Sequence, residues 1–386
     1  MKVFFDHQIF IQQNYGGISL YFKELIQDFL RRSNVDVGHS ILYSNNEYLN
    51  ESLELGNKVY LNSSNWLFEG HFKGKGKLFS FAKFIGLAKN HRREMENYVK
   101  LFFERKNISV FHPTYYDTYY HSFPNARKIP IVVTVYDMIH ELFPYYFPAD
   151  NTYFFKKKTM DIATKIIAIS NNTKNDIMKI YNIPEEKIKV IYLAPSFDDI
   201  KAKVETDYNL SNSILYVGNR SLYKNFHFFL VSIIDLFRKY PEMNLILAGG
   251  EFLSRKEMDL FKKLNLENRI TRIAITDKQK LATLYKSSRL FVFPSLYEGF
   301  GIPLLEAMQL GCPVVCSNTS SFSEVAGSAA LYFDPLDSSS IHDAVENVFI
   351  NDSFRNQIIE EGYKRCAQFQ WENSFAETLD LYNSIL

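Results

Sequence analysis

The chain has 386 residues, the length of two ordinary domains, and 46% of them are hydrophobic, enough for two cores. A net charge of +1 excludes a global basic field of the kind that recruits nucleic acid, and three cysteines are too few for a disulfide framework. No apolar run reaches the ~20 residues that span a bilayer, and Asp6 and His7 interrupt the N-terminal run before a signal-peptide core forms, so a cytoplasmic protein is expected.

Short apolar runs alternate with amphipathic helical stretches, the pattern of a doubly wound α/β protein. In the first half, strands are expected at residues 3–5, 39–43, 110–111, 131–135, 166–169 and 190–192. In the second half they are expected at 214–217, 245–248, 270–273, 290–293, 313–316 and 331–333. These runs are continuous rather than alternating, as in parallel sheets covered by helices on both faces. The pattern divides into a first domain over 1–194, a linker over 195–212, a second domain over 213–369 and a terminal segment over 370–386. Trp371, Phe375, Leu379 and Tyr382 recur at helical spacing, so the terminal segment is expected to be a helix with one apolar face.

The chemistry-bearing residues follow in chain order. Gly16 and Gly17, in Tyr15-Gly16-Gly17-Ile18-Ser19, join the first strand to the first helix and let backbone approach a phosphate; a plain tight turn has the same pattern. Residues 71–93 hold seven Lys or Arg and no acid, interleaved with Phe72, Phe79, Phe81, Phe84, Ile85 and Leu87. That composition suits contact with an anionic membrane, or a solvated loop and helix face. Tyr115 and Tyr116 follow a strand and offer both ring faces and hydroxyls to a carbohydrate acceptor, although surface packing accounts for them equally. Asp137 and His140 follow the run 131–135 and are expected at a crevice, with a satisfied core histidine as the alternative for His140. Arg220 and Lys224 follow the first strand of the second half, where loops open on the ligand crevice. Two cations there suit a diphosphate.

The densest signal is the stretch 293–308, where Glu298 and Glu306 flank Gly299-Phe300-Gly301-Ile302-Pro303. Pro303 suits the first turn of a helix, whose free N–H groups form an anion site. A ligand with a phosphate and two sets of hydroxyls, such as a sugar nucleotide, meets every part of this arrangement. No D-x-D triplet and no G-x-G-x-x-G occurs, which argues against a metal-held diphosphate and against a nicotinamide or flavin enzyme.

The run from Glu298 to Glu306 resembles the E-x7-E signature of retaining glycosyltransferases of family GT4. The segments 15–19, 135–144, 168–174, 215–220 with Lys224-Asn225, and 311–315 resemble further blocks of that family in its order. The resemblance implies the GT-B fold: two Rossmann-like doubly wound domains facing a central cleft, with the C-terminal helix crossing back to the N-terminal domain. It implies that Glu306 accepts hydrogen bonds from ribose hydroxyls and Glu298 from the transferred sugar. It further implies that the amides of Phe300, Gly301 and Ile302, with Gly16, Gly17, Arg220 and Lys224, complete the donor site. Glu298, Lys224, Asp137 and His140 form the implied catalytic set, and Tyr115 and Tyr116 the acceptor side. Asn219 stands where many members carry the Arg, one place before Arg220, and Tyr136 stands where many carry a His. The implied activity is metal-independent, cofactor-free transfer from a nucleoside diphosphate sugar to a glycan or lipid-linked acceptor. Residues 6–10 with 15–19 resemble members from bacterial surface polysaccharide assembly, such as O-antigen or capsule. A non-catalytic sugar-nucleotide-binding subunit on this fold would carry damaged donor motifs, whereas Glu298, Lys224 and Glu306 are intact.

Overall fold

Apolar runs pair as parallel strands in both halves of the computed structural model, which describes every residue except 33, 50–57, 64, 67–71, 106, 149, 196, 198–209, 221 and 276. Most of the expected linker therefore lies outside the described residues. The first half contains β1 (Lys2–Phe5), β2 (Asp36–His39), β3 (Tyr43–Ser44), β4 (Lys58–Val59), β5 (Val110–His112), β6 (Val132–Val135), β7 (Lys165–Ala168) and β8 (Ile188–Val190). The order β2-β1-β5 continues through a parallel bridge between Phe111 and Ile131 into β6-β7-β8, and β3 pairs separately with β4. The second half contains β9 (Ser213–Val217), β10 (Asn244–Ala248), β11 (Ile270–Ile273), β12 (Leu290–Phe293), β13 (Val314–Ser317) and β14 (Ala330–Phe333), in the order β11-β10-β9-β12-β13-β14. That order reverses between β9 and β12, so the loops leaving their carboxyl ends flank a crevice.

Two edge strands differ from expectation. The strand expected at 39–43 is formed by Asp36–His39, whose polar residues lack an apolar signal. Its register against β1 places Gly38 beside Phe4, where a side-chain β-carbon would lie 2.6 Å from the ring. The strand expected at 190–192 is Ile188–Val190, paired with Ile166–Ala168 of β7.

The terminal helix Trp371–Asn383 packs on the first half. Trp371 lies against Tyr21, with ring centroids 6.2 Å apart, and Tyr382 against Phe29 at 5.9 Å. The Tyr382 hydroxyl is 2.5 Å from His112 Nδ1, and His112 Nε2 is 3.0 Å from Thr134 Oγ1. Burial lowers the His112 imidazole to about 3, so a neutral ring bridges the helix to the sheet.

The halves also meet at the crevice. Ser170 and Thr173, at the start of the helix Asn171–Tyr181, donate their hydroxyls to the Gly299 carbonyl at 2.7 and 3.2 Å. Glu324 accepts from the Asn171 and Asn172 amides at 2.6 and 3.1 Å, a carboxylate on a helix N-terminus of the other half. Tyr297 donates to Asp176 at 2.5 Å. The backbone approach is so close that a β-carbon on Gly299 would sit 1.6 Å from the Tyr136 carbonyl oxygen. One apolar cluster runs through both halves, with Tyr136 and Met138 on one side and Phe293 and Phe300 on the other.

Candidate active site

A cavity of about 750 Å³ opens between the halves, at the carboxyl ends of β9 and β12. After β9, Gly218 takes φ +112, a left-handed conformation that glycine adopts without a steric penalty. The chain then turns so that Asn219 and Lys224 line the cavity. Lys224 Nζ lies 2.5 Å from Glu298 Oε1, and Ser295 Oγ donates to the same oxygen at 2.7 Å. The Glu298 amide is itself held, donating to Ser320 Oγ at 3.1 Å. Burial disfavours the charge on Lys224, but Glu298 and the neighbouring Tyr223 outweigh it and raise its pKa above the ordinary lysine value. At neutral pH Lys224 therefore remains an ammonium ion beside Glu298.

Two helix N-termini converge on this pair from opposite halves. Gly301, at φ +109, precedes the helix Ile302–Gln309, with Pro303 in its first turn. The helix Gly17–Arg31 starts across from it, and a β-carbon on Gly17 would lie 3.8 Å from the Ile302 side chain. Gly16, Gly17, Phe300, Gly301 and Ile302 all line the cavity. Gly16 is extended, so its backbone does not demand glycine; the Gln13 side chain, 2.5 Å from a β-carbon there, fills the space. The Ser19 amide donates to the Gln13 side-chain oxygen at 3.2 Å, and the other first-turn residues that line the cavity from both halves suit an anion beside Lys224.

Glu306 forms part of the wall, one turn into its helix, and accepts from the Tyr285 hydroxyl at 3.2 Å. Burial raises its carboxyl to about 7, against the opposing hydrogen bond from Tyr285 and the charge of Lys278. Asp137 lines the cavity from the first half. The structure thus brings together Gly16, Gly17, Asp137, Lys224, Glu298, Phe300, Gly301, Ile302 and Glu306.

Four expected residues lie elsewhere. Arg220 is buried and turned away, with Nε donating to Glu257 at 2.6 Å and Nη2 to the Glu251 carbonyl at 2.9 Å; Asn219 lines the cavity in its place. His140 Nε2 lies 3.2 Å from Asp150 Oδ2, and the ring packs on Phe147 at 4.5 Å, outside the cavity lining. Tyr116 is buried, and its hydroxyl accepts from the Tyr136 amide at 3.3 Å. With Tyr115, Asp117 and Asp150, it borders a separate pocket of about 260 Å³.

Sequence reasoning missed Gln13, Tyr48, Tyr223 and Lys278, all of which line the cavity. Tyr223 adjoins Lys224 and could have been inferred from that neighbour. Tyr48 and Lys278 carry no motif; they meet only in three dimensions, with Lys278 Nζ 6.0 Å from the Tyr48 ring. Among the described residues, no group of three or more His, Cys, Asp or Glu is placed to hold a metal ion. Cys312, Cys316 and Cys366 are buried free thiols. Among the same residues, no helix is long and apolar enough to cross a membrane.

Residues 198–365 match the family described as glycosyl transferases group 1, and residues 62–194 match glycosyltransferase family 4. O-antigen chain mannosyltransferase B of Escherichia coli is 32% identical over 288 residues, 69% of this chain and 74% of the relative. O-antigen chain mannosyltransferase RfbU of Salmonella typhimurium is 31% identical over 239 residues, 60% of this chain and 64% of the relative. Among solved structures, sucrose-phosphate synthase from Thermosynechococcus elongatus superposes with a TM-score of 0.72 at 18% identity, over 100% of this chain and 99% of that one. Anabaena HepE in complex with UDP and glucose gives 0.68 at 18% identity, over the whole of both chains. These likenesses establish the fold as GT-B.

The raised Glu306 pKa has a consequence for stability. The folded protein holds this proton more tightly than the unfolded chain does. The stabilisation is full below the ordinary value of 4.5 and is lost as pH rises through about 7. Glu306→Gln should therefore melt higher than the unmodified protein at about pH 8, with the difference closing by about pH 5. Melting curves for both proteins across that range check this; a pH-independent difference contradicts it.

Proposed function

The chain belongs to the glycosyl transferases group 1, and from that premise we propose that it moves a sugar from a nucleoside diphosphate sugar to a glycan or lipid-linked acceptor. The setting is bacterial surface polysaccharide assembly, which is supported by relatives named for mannose transfer in O-antigen chains. The observation that carries the reading is the 2.5 Å Lys224–Glu298 pair beside two opposed helix N-termini.

In this reading the diphosphate occupies the anion site, and Lys224 leaves its contact with Glu298 to meet it. As the bond from the anomeric carbon to the phosphate oxygen breaks, negative charge grows on the departing nucleotide. Lys224 and the amides of Phe300, Gly301 and Ile302 stabilise that charge without a metal ion. Glu298, freed from Lys224, accepts hydrogen bonds from the sugar, and Glu306 from both ribose hydroxyls, since one carboxylate can accept from two donors. Asp137 faces the sugar from the other half. The acceptor hydroxyl oxygen bonds to the anomeric carbon on the face that the phosphate leaves and passes its proton to that phosphate, so configuration is retained and no side chain acts as a nucleophile. The acceptor approaches from the first half, where Tyr115 borders the separate pocket.

The acceptor's lipid would bring the enzyme to the inner face of the cytoplasmic membrane, and one surface supports this. The helix Lys75–Phe84 turns Leu78, Phe81 and Phe84 outward, and Ile85 and Leu87 continue the patch. Phe84 is 87% and Leu87 77% exposed. An apolar patch of this kind marks an interaction site, and Lys77, Lys83, Lys89 and Arg93 in the same segment give it the charge for an anionic surface. Lys75, counted among these basic residues from sequence, is buried, and residue 71 lies outside the described residues.

Lys224→Ala should lower turnover by about 10²–10³, the usual effect of losing one preorganised charge contact. Steady-state rates with the cognate donor check this, and a near-normal rate places the phosphate elsewhere. The unmodified protein should also sediment with vesicles containing anionic lipid and be released by salt. Replacing Lys77 and Lys83 with Glu should abolish sedimentation and leave nucleotide affinity intact. Failure of the unmodified protein to bind at physiological salt removes the membrane contact and leaves the transferase reading in place.

A further inference from the structure

Lys156, on the helix Thr152–Ile162, has a side chain only 1% exposed. An ammonium so deep in a protein is costly unless paired and hydrogen-bonded. Its Nζ donates to Glu141 Oε2 at 2.9 Å and to the main-chain oxygen of Asp137 at 2.8 Å, and lies 3.5 Å from Asp137 Oδ1. The Tyr116 ring lies 5.7 Å away. Glu141 is 4% exposed, and its other oxygen accepts from the Tyr181 hydroxyl at 2.9 Å. Both charges are therefore paired and hydrogen-bonded inside the first half.

Asp137 is the member of this group that lines the cavity. Its Oδ1 also accepts from the Ile139 amide at 3.1 Å, so among the described residues the hydrogen bonds to Asp137 fall on Oδ1 and the main-chain oxygen, which leaves Oδ2 for a ligand. Lys156 thus ties down Asp137 itself, while Glu141, in the short helix Ile139–Leu142, fixes Lys156. The same loop abuts the second half, since a β-carbon on Gly299 would lie 3.1 Å from the Asp137 β-carbon. A shift of Asp137 would therefore also disturb the loop that carries Glu298.

We propose that Lys156, held by Glu141, is a positioning residue that aims Asp137 at the transferred sugar. This rests on the assignment of Asp137 to the active site. A purely structural ion pair would tolerate replacement by a neutral pair of similar size, because such replacements are often neutral for stability. A positioning pair would not, because the neutral side chains cannot hold the Asp137 carboxylate.

The test is a double-mutant cycle in Lys156→Met and Asp137→Asn, with Lys156→Met/Glu141→Gln as the variant relieved of its unpaired carboxylate. Turnover, nucleoside diphosphate affinity and melting temperature are read on each. Lys156→Met should lower kcat by about 10²-fold, the scale of a small misplacement of a reacting group. In the Asp137→Asn background the same change should cost less than about twofold, because the two act as one unit. Lys156→Met/Glu141→Gln should melt near the unmodified protein, bind nucleoside diphosphate normally and remain slow. Full turnover in that variant overturns the proposal. So does an equal loss in both backgrounds, or an unfolded Lys156→Met/Glu141→Gln protein, each of which assigns the pair a structural role. Normal turnover in Asp137→Asn with the other variants slow removes the assignment of Asp137 itself.

Discussion

The arrangement depends on the contact of the Gly299 carbonyl with the hydroxyls of Ser170 and Thr173. It joins the loop that carries Glu298 to the helix start that follows β7, so the site is assembled from two halves that are far apart in sequence. Glycine is required there because the Tyr136 carbonyl occupies the space of a side chain. Glu324 reinforces the seam from the other direction by filling the N-terminus of a helix it does not belong to. The terminal helix adds a second tie, through Tyr382 and the neutral ring of His112. Ties of this kind hold the two halves, and with them the walls of the cavity, in a fixed relation.

The cavity holds charged groups of both signs. Lys224 and Glu298 satisfy each other, and Lys278 moderates the effect of burial on Glu306. A diphosphate and two sets of hydroxyls offer complementary partners to all of these groups at once. Binding can then exchange internal pairs for ligand contacts rather than leaving charges unpaired, which is the costly alternative in a buried site.

Fold class was legible because apolar runs in a buried parallel sheet are continuous and alternate with amphipathic helices. The two strands that were misplaced, Asp36–His39 and Ile188–Val190, are edge strands, where half of the apolar signal is absent. In the site, Glu298, Gly299, Gly301 and Glu306 were legible because they lie within one loop and helix, so their spacing reflects their geometry. Arg220 shows the limit of that logic. It lies four residues from Lys224, yet Glu257 and the Glu251 carbonyl draw its guanidinium away from the cavity. His140 is likewise close to Asp137 in sequence and turned toward Asp150 in space. Tyr48 and Lys278 were invisible because nothing in their neighbourhoods marks them; only the closing of two halves brings them to the cavity.

A nucleoside diphosphate sugar bound in this cavity would touch both halves and stabilise them together. The most direct measurement is a thermal-shift screen of nucleotide sugars on the unmodified protein. A cognate donor at ~100 times its dissociation constant should stabilise the fold by about 2.7 kcal/mol. Such a shift is expected for at least one nucleoside diphosphate sugar, and a smaller one for the free sugar. A screen in which no nucleoside diphosphate sugar raises the melting temperature contradicts it.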